Sequence, residues 1–254
     1  MNSTVKRSFE IVRIIADNQG RFTLSDLVAK TRLNKTTLFR MTKTLEELNI
    51  LEKRKNHFYL GLSLFELGNR VHIKQIIVDK IHPLLKQLSD EVNETVNLAK
   101  LYNGRVLYLD KIESRRSLQI QSSIGDTLPL YCTSLGKSIL SIVPDDQFAD
   151  IIEKIKFKKI TKNTLTDKKI FIDQIKEIRT RGYSIDNEEF EEGLVCISIP
   201  LYLSEYDFYG SLSLSGPSTR FKGKNLHKMA STLKNYKDLL IEKINNNNGG
   251  GNNV

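Results

Sequence analysis

Between Phe22 and Leu60 the chain reads FTLSDLVAKTRLNKTTLFRMTKTLEELNILEKRKNHFYL, and its start and stop signals leave few architectures open. Thr23 followed three residues later by Asp26 is a capping box, opening a helix LSDLVAKT with Leu24, Leu27 and Val28 on one face. RLN leaves room only for a turn, and Asn34 is a natural N-cap for KTTLFRMTKTLEELN. That helix has a narrow apolar stripe of Leu38, Met41, Leu45 and Leu48. Its opposite face shows Lys35, Thr36, Thr37, Arg40 and Lys43. ILEKRKNHFYLG reads as two short strands around Lys55–Asn56. Phe39 falls on the polar side of the helix, where it can stack on a sugar or a thymine methyl, or pack against this hairpin. Upstream, VKRSFEIVRIIADN repeats Val5, Phe9, Val12, Ile15 and Ala16 at helical spacing, and Gly20 stops it. Helix, short turn, polar-faced helix and basic hairpin make the winged helix-turn-helix pattern. The alternative is a three-helix bundle with a lysine-rich solvated face.

Charge bears on that choice. The formal net charge is +9, and residues 1–76 hold 14 Lys and Arg against 7 Asp and Glu. A positive segment beside a near-neutral one points to a polyanion partner for the first. A DNA major groove admits one helix, whose N-terminal residues reach base edges. The third helix supplies donors and a methyl contact there. Lys53, Arg54 and Lys55 on the hairpin suit phosphates or a minor groove. Double-stranded DNA is therefore the expected partner. No apolar run approaches the roughly 20 residues that span a bilayer, and the N-terminus has no signal-peptide core. Cys132 and Cys196 make no disulfide framework. A cytoplasmic protein with free thiols is expected.

The chain divides into a winged helix-turn-helix over 1–62, a linker helix over 63–76, a second domain over 77–244 and a disordered tail over 245–254. The tail, INNNNGGGNNV, has too little apolar surface to pack. SLFELGNRVHIKQIIVDKIHPLLKQLSDEV reads as helical nearly throughout, with a break or kink at Pro83. Its Leu64, Leu67, Val71, Ile76 and Ile77 could form an apolar face for a dimer contact. Beyond it, Asn103–Gly104 is the preferred type I′ pair inside the alternating hairpin VNLAKLYNGRVLYLDKI. SLQIQSSIG offers another strand. Helices follow at CTSLGKSILSIV, entered by Thr133 and Ser134, at PDDQFADIIEKI, and at DKKIFIDQIKEIRTRG, closed by Gly182.

In GLVCISIPL, Val195, Ile197, Ile199 and Leu201 share one face, and Leu194, Cys196, Ser198 and Pro200 the other. In YGSLSLSG, Leu212 and Leu214 oppose Ser211, Ser213 and Ser215. Paired antiparallel, these strands give one aliphatic sheet face and one lined by hydroxyls and a thiol. Such a face leaves room and donors for a small polar ligand; an exposed sheet face with serines on it is the competing reading. RGYSID is a strand ending at Asp186, and EEFEEG is a loop into the next strand. The fold class is α+β in two domains.

Several blocks together resemble the IclR family of transcription regulators. They are FTLSDLVAKTRLNKTTLFRMTKTLEELNILEK, ETVNLAKLYNGRVLYLDKIES, LPLYCTSLGKSIL, RGYSIDNEEFEEGLVCISIP and LSLSGPSTR, and the match covers roughly residues 4–240. The resemblance implies a winged helix that binds a pseudo-palindromic operator. It implies a GAF-like C-terminal effector domain with a mixed antiparallel sheet and helices, assembly as a homodimer or tetramer, and a repressor that senses a small organic acid. The ligand positions it implies are Asp186, Cys196, Ser213 and Ser215, with Ser134, Leu135 and Gly136 at a helix start. Backbone N–H groups near residues 135–137 and the serine hydroxyls can hold a carboxylate. Asp186, which would repel an anion, is expected to accept from a ligand hydroxyl, a water or a backbone N–H. Leu118, Leu128 and Leu130 are candidates for the apolar wall. Tyr131–Cys132 departs from the family pattern, and Tyr131 either narrows the pocket or packs beside it. Glu188, Glu189, Glu191 and Glu192 are expected in a solvated loop over the mouth.

The rival class is a thiol-dependent enzyme of GAF-like fold. A nucleophilic cysteine needs a base or a cationic neighbour, and none of His57, His72, His82 and His227 lies in the strands carrying Cys196. Acids nearby would raise a thiol pKa. No His/Cys spacing suits a metal. The expectation is therefore no catalysis, no metal and no cofactor. A DNA-binding scaffold without a ligand is the third reading.

Overall fold

The computed structural model describes residues 3–18, 22–76, 80–116 and 122–246. It divides into two compact units, Met1–Lys74 and Gln75–Val254.

In the first unit, α1 (Ser3–Asp17), β1 (Phe22–Thr23), α2 (Leu24–Thr31) and α3 (Lys35–Glu47) precede a hairpin of β2 (Leu51–Arg54) and β3 (His57–Leu60). The local signals do what their chemistry predicts. Thr23 Oγ1 accepts from Asp26 N while Asp26 Oδ2 accepts from Thr23 N at 2.8 Å, closing the capping box. Asn34 Oδ1 accepts from Thr37 N at 2.8 Å and starts α3. β1 was not anticipated: it pairs with β3, giving a sheet ordered β1-β3-β2.

The core gathers Ile11, Val12 and Ile15 of α1 with Leu27, Leu38, Leu45, Leu51 and Phe58. This corrects the expected face of α1. Val5 is 54% exposed and Phe9 61%, and Ala16 is also outside. α1 carries two apolar arcs, and the arc through Ile11 and Ile15 is the one that meets α2 and α3. Leu48, at the C-cap of α3, is exposed, and Thr42 takes a buried place instead, its hydroxyl donating to Phe39 O. Val5, Phe9, Leu48, Leu64 and Leu67 line an apolar groove on this unit. Gly20 lies outside the described residues.

α4 (Leu62–Asn69) and α5 (His72–Ile76) replace the expected continuous helix. The break falls at Arg70–Val71. Pro83 does not kink a helix but sits in the first turn of α6 (His82–Val92), where its missing N–H costs nothing. Ile77 lies outside the described residues, and α4 buries no side chain, its Leu67 standing 57% exposed.

The second unit continues from α6 with β4 (Thr95–Tyr102), β5 (Arg105–Ile112), β6 (Thr127–Leu128), α7 (Ser134–Ile142), α8 (Asp145–Lys154), α9 (Lys168–Arg181), β7 (Ser184–Asn187), β8 (Leu194–Leu203), β9 (Phe208–Pro217) and α10 (Lys224–Asn246). One sheet runs β6-β5-β4-β9-β8-β7, antiparallel at every step. The turn between β4 and β5 has left-handed backbone at both Asn103 (φ 50) and Gly104 (φ 70). Gly182 (φ 79) caps α9. Of the expected strand SLQIQSSIG, residues 117–121 lie outside the described residues and 122–125 are not strand; the pairing falls at Thr127–Leu128. Residues 245 and 246, expected in the tail, end α10; 247–254 lie outside the described residues.

Both faces of this sheet are buried. Ile197, Ile199, Leu201, Leu212 and Leu214 face the side that α6 and α10 cover with Leu84, Leu85, Leu88, Leu233 and Leu240. The small polar face is not exposed either: α7 lies on half of it. Ser138 Oγ donates to Ser198 O at 2.9 Å, and Ser184 Oγ donates to Ser134 O at 2.6 Å. Ser211 Oγ donates to Ile199 O at 2.8 Å and meets Ser198 Oγ at 2.7 Å. Small side chains let the helix backbone approach the strands, and each buried hydroxyl finds a partner. α8 and α9 close the layer behind α7 through Ile139, Leu140, Ile152, Phe171, Ile175 and Ile178.

Candidate functional site

The other half of the small polar face is left open as a cavity of about 210 Å³ between β5, β8, β9 and the start of α7. Register explains its composition. Asp186, Cys196 and Ser215 are successive partners across β7, β8 and β9, one row from Ser184, Ser198 and Ser213. The cavity takes Asp186, Cys196, Ser213 and Ser215 from these rows, Ser134 and Leu135 from α7, and Leu128 from β6. It also takes Glu191, from the loop expected over the mouth, and Tyr108, Ser122, Asp126, Thr133, Phe190 and Leu194, none of which stands out in the sequence as a pocket residue. Leu118 lies outside the described residues. Leu130 and Tyr131 belong to the core behind α7, not to the cavity. Tyr131 Oη donates to Lys158 O at 2.8 Å and its ring stacks on Phe157 at 5.2 Å.

Gly136 is likewise absent from the wall. A Cβ there would stand 2.3 Å from Leu130 O and 2.5 Å from Leu130 Cα, so the glycine exists to let the 130 segment pass the helix. Gly136→Ala is expected to destabilise the chain by about 1–3 kcal/mol through overpacking against backbone that has nowhere to go. Denaturant unfolding measures this, and an unchanged midpoint would refute the close approach. Two of the N–H groups expected to face a ligand are also spent. Gly136 N donates to Thr133 Oγ1 at 3.1 Å and Lys137 N to Thr133 O at 3.0 Å. The first N–H groups of α7, on Ser134 and Leu135, have no partner within the helix and lie at the cavity.

Asn97 orients the two serines. Buried on β4 opposite Ser213, it donates through Nδ2 to Ser213 Oγ and Ser215 Oγ, both at 3.2 Å. Turning the amide over would orphan two buried donors instead of the single acceptor Oδ1, which is unpartnered as it stands. With Asn97 filling an acceptor site on each hydroxyl, both O–H protons are directed elsewhere, and among the described residues no oxygen accepts them. Ser215 also reaches the Cys196 thiol. Asn97 could have been suspected: in TVNLAKLY, Thr95, Asn97 and Ala99 repeat the small, polar alternation of Ser211, Ser213 and Ser215.

The acidic segment after β7 corrects a second expectation. It is tied down on both sides. Asp186 Oδ1 accepts from Glu189 N at 2.7 Å, and Glu188 Oε2 accepts from Gly193 N at 2.7 Å. Thr161 and Thr164, ahead of α9, donate to the carbonyls of Glu188 and Glu189 at 2.6 and 2.7 Å. Glu189 is buried against Lys137 of α7, itself 0% exposed, with Nζ–Oε1 at 2.5 Å. Of the four glutamates expected in solvent, only Glu192 is exposed; Glu188 and Glu191 are half-buried. Lys137 escaped notice because it shares the polar arc Ser134, Ser138, Ser141, which reads as outward.

Burial pushes the Asp186 carboxyl up to about 7, against the pull of Lys137 and of backbone N–H bonds. Burial, with the Asp186 charge adding to it, also raises both thiols, Cys132 to about 12 and Cys196 further. A thiol held neutral is a poor nucleophile. Among the described residues no histidine lines the cavity and no metal-ligand cluster occurs.

In the first unit, Lys35, Thr36, Arg40 and Lys43 are exposed along α3, Phe39 is 52% exposed beside them, and Thr37 is half-buried. On the hairpin, Lys53 Nζ lies 5.6 Å from the centre of the Phe58 ring and the Arg54 guanidinium 5.4 Å from that of Tyr59. Arg54 pairs with Glu52 at 2.8 Å, so a phosphate must compete for it. Lys55 occupies the tip with φ 56.

Residues 70–239 match the model described as bacterial transcriptional regulator IclR C-terminal, and 4–55 the IclR helix-turn-helix domain. The HTH-type transcriptional regulator KdgR of Escherichia coli (strain K12) is 30% identical over 91% of this chain and 88% of its own. The acetate operon repressor of Salmonella typhimurium is 26% identical over 85% of this chain and 81% of its own. The crystal structure of Thermotoga maritima IclR superposes with a TM-score of 0.71 at 28% identity, covering 96% of this chain and 99% of that one.

Proposed function

The chain belongs to the IclR family of transcriptional regulators, and from that premise we propose that it represses its target operon until a small monocarboxylic acid fills the cavity of the second unit. It is a DNA-binding regulator that senses a metabolite. The observation that carries the ligand class is the pair of serine hydroxyls that Asn97 turns toward the cavity, Ser213 with no oxygen among the described residues accepting its proton and Ser215 against the Cys196 thiol: charge-assisted O–H bonds to a carboxylate are their natural use. The first N–H groups of α7, on Ser134 and Leu135, add donors at a helix start. About 210 Å³ is below the roughly 300–1,000 Å³ of drug-sized sites, which suits a metabolite of a few carbons. Tyr108, Leu128, Phe190 and Leu194 form its apolar wall.

The α3 face reads bases in a major groove, with Thr36, Thr37 and Arg40 nearest its start, and Lys53, Arg54 and Lys55 hold phosphates. The apolar groove of Val5, Phe9, Leu48, Leu64 and Leu67 supports assembly as a homodimer or tetramer on a pseudo-palindromic site. No helix among the described residues is long and apolar enough to cross a membrane, and operator binding belongs in the cytoplasm. Arg40→Ala is expected to weaken specific DNA binding by about 1–3 kcal/mol, with affinity for the parent site falling steeply as salt rises. Footprinting over the chain's own upstream region measures both; no protected site, with sequence-indifferent binding, would end the regulator reading.

A further inference from the structure

We propose that the cavity takes up one proton together with a carboxylate effector, and that Asp186 holds it, so that effector affinity falls as pH rises. This rests on the carboxylate reading of the same cavity. Asp186 and the serine donors, all buried, line one cavity of about 210 Å³, so a carboxylate on Ser213 and Ser215 lies close to the Asp186 carboxyl. Two carboxylates that close, shielded from water, do not both stay ionised.

Among the described residues the neighbouring cations are already engaged. From α7 comes Lys137, fully buried and already paired with Glu189. The segment after β7 supplies only acids, Glu189 behind Asp186 and Glu191 on the cavity wall, and Asp126 adds another from the turn before β6. β8 presents the Cys196 thiol and β5 the Tyr108 phenol; burial raises both, and that of Cys132, so all three stay neutral near pH 7. β5 also carries Lys111, opposite Asn97; the Lys111 ammonium donates to Ser122 O at 2.7 Å and pairs with Glu113 at 3.1 Å. β4 and β9 present Asn97 and serines. Two engaged cations, Lys137 and Lys111, thus stand against Asp186, Glu189, Glu191, Asp126 and Glu113 before a ligand arrives.

The proton comes from solvent. The ionised Asp186 carboxylate gains it, becomes a carboxylic acid, and donates the new O–H to a ligand carboxylate oxygen; no other bond changes. Asp186 keeps its acceptor role toward Glu189 N throughout. Burial already lifts this carboxyl to about 7 in the empty cavity. Below that pH the proton is in place beforehand, binding takes up none, and affinity is level. Above it the site must gain one, and affinity falls by up to about tenfold per pH unit.

Titration calorimetry on the full chain tests this with pyruvate, lactate and benzoate, each beside its own amide, in buffers of differing ionisation heat from about pH 6 to about pH 9. All three acids are ionised throughout. The expected result is that a bound carboxylate loses affinity above about pH 7 with uptake approaching one proton, that a bound amide does not, and that Asp186→Asn flattens the carboxylate profile. A carboxylate bound with level affinity and no uptake overturns the proposal and leaves the carboxylate reading standing. Failure of all three acids to bind at any pH overturns that reading and the proposal with it.

Discussion

Replacing Lys137 with methionine is expected to destabilise the chain by about 3–5 kcal/mol, the loss typical when a buried ion pair is stripped of one partner. Glu189 would be left inside the protein without its cation, and its second oxygen, Oε2, already lacks a partner. Glu189 also donates its N–H to Asp186 and its carbonyl accepts from Thr164, so the damage spreads along the segment that walls the cavity. The pair itself contributes less than that loss suggests, because each ion gave up its hydration to enter the core. Lys137→Met combined with Glu189→Leu is therefore expected to recover most of the stability. Urea unfolding of both variants measures the difference. A single variant that loses less than about 1 kcal/mol, the range of surface pairs, would show that Lys137 and Glu189 are not a buried pair.

Ser213→Ala with Ser215→Ala is expected to weaken the effector by more than about a hundredfold. Each hydroxyl hydrogen bond to a charged acceptor contributes roughly 1.5–3 kcal/mol, and two are lost together. Asn97 loses the acceptors of both Nδ2 protons at once, so the amide that ordered the wall becomes a buried group without partners. Release of operator DNA by an acid that binds the parent chain is the readout, with DNA affinity in its absence measured alongside. A double variant that responds at the parent concentration would remove these serines from the site.

What could be read from sequence was what local chemistry decides. Thr23 with Asp26, Asn34, Asn103–Gly104 and Gly182 act through their own backbone neighbourhoods, and each does so in the fold. The alternation in GLVCISIPL and YGSLSLSG was legible for the same reason, and it brought Asp186, Cys196, Ser213 and Ser215 to one cavity. Polar groups buried by a distant partner were not legible. Glu189 looks solvated until Lys137 is known to face it, 52 positions away in sequence. Serines 198 and 211 look like a ligand surface until α7 is seen to rest on them. Val5 and Phe9 fit helical spacing as well as Ile11 and Ile15 do, and only the placement of α2 and α3 separates the two arcs.

The division of one sheet face between a helix bed and a cavity has a consequence for how such a sensor changes its specificity. Ser184 Oγ and the Ser198 carbonyl hold α7 in place, while Leu128, Phe190 and Leu194 bound the space beside it, the first two from the edge of the core. The wall can then be resculpted for a longer or bulkier acid while the hydrogen bonds that hold α7 stay in place. Mutational libraries for a redesigned biosensor belong at those three wall positions, with the serine bed held fixed.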